Sequence, residues 1–72
     1  MDKNDEVTLI ELGKRLKELR NERDLSQEDF ATLSHLDRTY VSGLERGKRN
    51  PSFLILLKIA KVFEITLNDL IS

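Results

Sequence analysis

Arg38, Thr39, Ser42 and Arg46 are the residues of this chain whose types and spacing could do chemistry. At about 100° per residue they share one arc of a short helix, with Gly43 among them. Val41 and Leu44 point the opposite way, and Tyr40 and Glu45 stand at the edges. An arginine can bond O6 and N7 of a guanine together, and threonine or serine can bond base edges or meet a thymine methyl. Arg38 is therefore the candidate for direct guanine readout, with Thr39 and Ser42 as secondary readers. Tyr40, at the flank, is expected against backbone or sugar, and glycine at 43 permits close approach. Arg46, Lys48, Arg49 and Asn50 then supply cations and an amide suited to phosphates. The same pattern also describes a solvated surface helix in a small helical domain, and spacing alone leaves both readings open.

Local signals make this helix the second of a pair. Ser26, with Asp29 three residues on, is close to a capping box and opens a helix over about Gln27 to Ser34. Phe30 and Leu33 give it an inward face, and Ala31 lets another helix approach. Asp37 caps the second helix, about Arg38 to Arg46, which Gly47 stops. Upstream, Leu9, Leu12, Leu16 and Leu19 form a helical stripe within roughly Val7 to Arg23, preceded by residues 1–6 read as frayed. Downstream, Ser52 caps a helix over about Phe53 to Phe63, and Thr66 caps a last one over about Leu67 to Ile71.

The helix from Phe53 is apolar nearly all round, broken only by Lys58 and Lys61. If Phe53, Leu56, Leu57 and Ala60 face the core, then Leu54, Ile55, Ile59 and Val62 exceed the needs of a monomer this small. An apolar surplus points to a partner surface. A symmetric dimer through Ile55, Ile59, Val62, Leu67 and Ile71 is one expectation; a different protein held on the same face, as in an antitoxin or other interaction module, is the other.

The composition closes several classes. Seventy-two residues are read as one domain, 1–72, too short for an added sensor or catalytic domain, so no small-molecule effector is expected. There is no cysteine and a single histidine, hence no expectation of a disulfide, a metal site or a cofactor. Ser26, Ser34, Ser42 and Ser52 have no adjacent histidine, and the acids lack a paired arrangement, so an enzyme is not expected. No apolar run is long enough to span a membrane and the start is polar and acidic, which suggests a cytoplasmic protein. A net charge of −1 argues against a non-specific nucleic-acid coat, whereas the cations around residues 38–49 form a local basic face on a near-neutral body.

Gln27, Ala31, Val41, Leu44, Glu45, Gly47 and the run LERGKRNPS resemble the Cro/repressor-type (Xre-like) helix-turn-helix family, over about Leu9 to Ile71. Within it, HLDRTYVSGLERGKRNPS is similar to the restriction–modification controller proteins. The resemblance implies an all-α, five-helix repressor-like domain with its motif at about 27–46, acting as a homodimer that sets its second motif helix in the major groove of double-stranded DNA. It implies an ion pair between Arg20 and Glu45, a phosphate contact from Gln27, and an RNA polymerase contact from Glu28 if the protein activates as well as represses. The sequence departs from the family at Asp24 and His35, where glycine is usual; both residue types tolerate positive φ better than most.

Overall fold

The computed structural model describes residues 2–72. Its order is α1 (Lys3–Glu22), α2 (Gln27–Ser34), α3 (Arg38–Glu45), α4 (Phe53–Val62) and α5 (Leu67–Ile71), so the described residues form an all-α fold of five helices. Each begins on a side-chain cap. Asp2, Ser26, Asp37, Ser52 and Thr66 accept from backbone N–H groups of the first turn, and Ser26–Asp29 and Thr66–Asp69 close full capping boxes.

Residues 3–6 form the first turn of α1 and Asp2 caps it, where their polarity suggested fraying; Met1 lies outside the described residues. Asp2 accepts from the Asp5 N–H at 2.9 Å, and Asp5 and Glu6 sit against the positive end of the helix dipole. Acidic residues at a chain start are thus a helix signal here.

Four helix ends use one device. Asp24, His35, Gly47 and Glu64 adopt φ of 55°, 58°, 72° and 55°. After each, the next N–H returns to the last turn: Leu25 to Arg20 O, Leu36 to Ala31 O, Lys48 to Gly43 O and Ile65 to Ala60 O. These are Schellman stops. Leu25, Leu36 and Ile65 each pack a partly buried apolar side chain on the core immediately after the turn. That contact supports left-handed backbone at residues that are not glycine.

The core gathers Leu16 and Leu19 of α1, Phe30 and Ala31 of α2, Val41 and Leu44 of α3, Ile59 and Ala60 of α4, with Phe63 and Leu70. Phe30 and Phe63 stack with ring centroids 5.2 Å apart, and the Arg23 guanidinium lies 4.9 Å from the Phe63 centroid. Two phases differ from the sequence reading. In α2 the buried face is Phe30, Ala31 and Ser34, and Leu33 is 54% exposed. In α4 the buried residues are Ile59 and Ala60, continued by Phe63, while Phe53 and Leu57 are exposed. Ile59 is therefore a core residue at 1% exposure and is withdrawn from the expected dimer surface.

Two glycines set the position of α3. A Cβ on Gly13 would stand 2.4 Å from Leu44 O and 2.6 Å from Glu45 O, so α1 crosses the end of α3 at backbone contact. A Cβ on Gly47 would meet Ile10 Cγ1 at 2.7 Å. The crossing fixes α3 on α1 with its far face outward. No helix among the described residues is long and apolar enough to cross a membrane.

Candidate nucleic-acid interface

Burial of Val41 and Leu44 leaves the opposite face of α3 to solvent. Arg38 and Thr39 are exposed on its first turn, Ser42 is half-buried, and Arg46 is exposed at its end. Asp37 caps the helix through the Thr39 N–H at 3.0 Å, which turns the Arg38 and Thr39 side chains out from a fixed start. Arg46 folds back, its Nε donating to Ser42 O at 3.3 Å. The loop then exposes Lys48, Arg49 and Asn50, and buried Pro51 ends it. Arg38, Thr39, Ser42, Arg46 and the loop cations thus form one donor-rich surface.

Gly43 does not belong to its open part. The glycine is buried because the Arg49 side chain lies over it, its Cγ 2.9 Å from where a Cβ would stand. Tyr40 is half-buried with the Arg49 guanidinium 5.6 Å from its ring centroid. Neither arrangement was legible from residue spacing, because it depends on the path of the loop.

Behind this surface Arg20 and Glu45 form a bidentate pair, Nε to Oε2 at 2.7 Å and Nη2 to Oε1 at 3.0 Å, with side chains 10% and 4% exposed. Arg20 Nη1 also donates to Leu25 O at 2.8 Å, which holds the α1–α2 turn. Hydrogen bonding to Glu45 raises the guanidinium pKa above its already high value, against the opposing effect of burial, so Arg20 stays charged. The pairing removes Glu45, the one acidic side chain between residues 38 and 50, from the charge balance of the surface. Arg38, Arg46, Lys48 and Arg49 then make it locally cationic despite the net charge of −1.

Gln27, expected on a phosphate, has its Nε2 donating to Glu45 Oε1 at 3.1 Å. An amide nitrogen carries two hydrogens, so this bond orients the side chain and leaves one N–H unused. Glu28 and Asp29 are exposed on the same first turn. The Ser26 N–H bonded to Asp29 holds that carboxyl below its usual range; its cap is therefore complete above about pH 4 and is lost only as pH falls through the lowered value.

A groove of about 620 Å³ runs between α1, α5 and the Asn50–Pro51 segment over Leu9, Leu12, Leu56 and Leu70. No α2 or α3 residue lines it, and it meets the donor-rich surface at Asn50.

The family model described as Helix-turn-helix (HTH_3) matches residues 16–70. The control protein C.MunI of a Mycoplasma species is 53% identical over 64 residues, covering 88% of this chain and 86% of that protein. The HTH-type transcriptional regulator DdrOP3 of Deinococcus deserti is 42% identical over 62 residues, which are 86% of this chain but 48% of the relative. Among solved structures, the restriction-modification controller protein C.AhdI from Aeromonas hydrophila superposes with a TM-score of 0.83 at 50% identity, covering 86% of this chain and 94% of that one.

Proposed function

The chain belongs to the helix-turn-helix family HTH_3 and is a DNA-binding transcriptional regulator; from that premise we propose that it is a cytoplasmic, non-enzymatic restriction–modification controller, a homodimer on a two-fold symmetric operator. The observation that carries this reading is the outward face of α3, an exposed arginine and threonine flanked by cations on a helix pinned from behind. The similarity to C.MunI and C.AhdI supports the controller assignment.

In this scheme α3 enters the major groove, Arg38 bonds guanine, and Thr39 and Ser42 read neighbouring base edges. Gln27 gives its free N–H to a phosphate beside the positive end of α2, and Arg46, Lys48 and Asn50 hold the backbone on the other side. Glu28, exposed, is offered to RNA polymerase; Glu28→Lys should remove activation while operator binding persists, and unchanged activation would exclude the contact.

The dimer uses the apolar face that the fold leaves uncovered. Phe53 and Leu54 are 62% and 69% exposed at the start of α4, directly after the phosphate-side loop, and Leu57 and Ile71 are exposed as well. With partly buried Ile55, Val62 and Leu67 they make the surface proposed for the second copy. Two α3 helices related by a two-fold would then read half-sites roughly one DNA turn, ~34 Å, apart.

The division of labour is tested by affinity across operator variants and salt. Arg38→Ala should cost roughly 1–3 kcal/mol of base discrimination. Lys48→Ala should weaken all sequences alike and lower the salt slope by about one. Equal loss of discrimination in both variants would contradict it.

A further inference from the structure

We propose that Arg49 is a reading residue of α3 rather than a backbone anchor of the loop, and that Tyr40 and Gly43 form the seat that holds it; the inference rests on the DNA-binding reading above. Gly47, at φ 72°, and the return of the Lys48 N–H to Gly43 O turn the loop sharply back over the flank of α3. The Arg49 side chain then lies flat on that flank. Its Cγ, Nε and Cδ pass 2.9, 3.2 and 3.6 Å from the place a Gly43 Cβ would occupy. Its guanidinium carbon ends 5.6 Å from the Tyr40 ring centroid, within the range of a cation–π contact.

Three features acquire one explanation. Glycine at 43 is unfavourable inside a helix, yet a methyl there would press on Arg49, whose side chain supplies the three nearest neighbours of that Cβ beyond the helix itself. Tyr40, half-buried where it packs against the core, keeps its ring at the helix flank within reach of that cation. Arg49 is an exposed loop residue whose side chain rests on α3.

The chemistry follows from the shape of the group. A guanidinium carbon held 5.6 Å from the ring still offers its N–H donors as a planar fork, which suits the O6 and N7 of guanine. Around the helix axis Gly43 adjoins Thr39 on one side and Tyr40 on the other. The seat therefore extends the α3 reading face on one side by an arginine that α3 itself does not contain. Tyr40 acts here as a positioning residue through its ring, not its hydroxyl.

The test compares full-length Arg49→Ala, Gly43→Ala, Tyr40→Leu, Tyr40→Phe and the Tyr40→Leu/Arg49→Ala double variant on single-base variants of the operator selected by the wild-type protein. Arg49→Ala should lose about five- to a hundredfold discrimination at one flanking position of each half-site and keep the rest. Gly43→Ala and Tyr40→Leu should lose the same position, Tyr40→Phe should retain it, and the double variant should be no worse than Arg49→Ala. Because alanine favours a helix over glycine, Gly43→Ala loses preference without losing stability, which separates a displaced Arg49 from an unfolded domain. Uniform weakening by Arg49→Ala with a salt slope lower by about one would return it to the backbone and overturn the inference. So would a Tyr40→Phe loss equal to that of Tyr40→Leu, or additive losses in the double variant. A wild-type protein that selects no sequence defeats the DNA-binding reading itself; selection with any of those three patterns defeats only the role of Arg49.

Discussion

Glu45→Ala should cost about 3–5 kcal/mol of folding stability, because it leaves the Arg20 guanidinium buried without its counter-charge. The carboxylate is 4% exposed and accepts from Arg20 Nε and Nη2 and from Gln27 Nε2. All three donors lose that acceptor together. At the usual ~0.05–0.15 kcal/mol per residue, a chain of 72 residues holds roughly 4–11 kcal/mol in total, so the loss rivals the whole. Urea unfolding of the variant should start near the lowest concentrations, with a midpoint far below wild type. Joint replacement, Arg20→Met with Glu45→Leu, should recover much of the loss, since exchanging both charges for apolar groups removes the stranded ion. The recovered protein would still lack the acceptor that orients Gln27. A single Glu45→Ala variant within about 1 kcal/mol of wild type would show that the pair contributes little more than an exposed one.

Gly13→Ala should destabilise by about 1–3 kcal/mol or more, although the same exchange in an exposed helix stabilises by about 1 kcal/mol. The sign reverses because of what the methyl meets. Its nearest neighbours are Leu44 O at 2.4 Å, Glu45 O at 2.6 Å and Glu45 C at 2.8 Å, all backbone, none free to rotate away. Relief requires α1 and the end of α3 to separate, which pulls Glu45 from Arg20 and shifts the face that carries Arg38. Gly43→Ala is the internal control: its methyl meets only a side chain. Thermal melts of the two variants should move in opposite directions, Gly13→Ala down and Gly43→Ala level or up. A Gly13→Ala protein melting with the wild type would mean that the crossing adjusts freely and does not fix α3.

Much of the fold was legible because its punctuation is local. Ser26, Asp37, Ser52 and Thr66 cap as their types imply, and Asp24 and His35 take left-handed backbone where the sequence lacks the usual glycine. Glu64 does the same without an equivalent cue; the apolar Ile65 after it, packed on the core, is the only trace. The phase of α4 was not legible. A helix apolar nearly all round carries no periodic signal to say which side is inward, so Ile59 was assigned to the surface and Phe53 to the core, the reverse of their burial. Leu33 shows the same limit: hydrophobicity suggested an inward face, whereas Ser34 takes the buried place with its hydroxyl donating to Phe30 O at 2.7 Å.

At the candidate interface the outward residues of α3 were readable because Val41 and Leu44 define its inner side. What escaped were roles that arise only when distant segments meet. Gly13 carries no role in the sequence reading, although glycine inside a helix is a sign of close approach. Gly43 was read as open to a groove, but the loop returns Arg49 across it. Gln27 was given a phosphate partner without its bond to Glu45, a residue 18 positions away.

Reading of DNA by a two-fold dimer through α3 is put to the test by selection of bound sequences from a random duplex pool at moderate salt. The expected result is an enriched motif with two-fold symmetry, its half-sites about one turn apart and a guanine in each that Arg38→Ala no longer demands. A motif without symmetry would contradict the dimer, and no enrichment at all would contradict sequence reading and leave the exposed apolar face of α4 to a different protein partner.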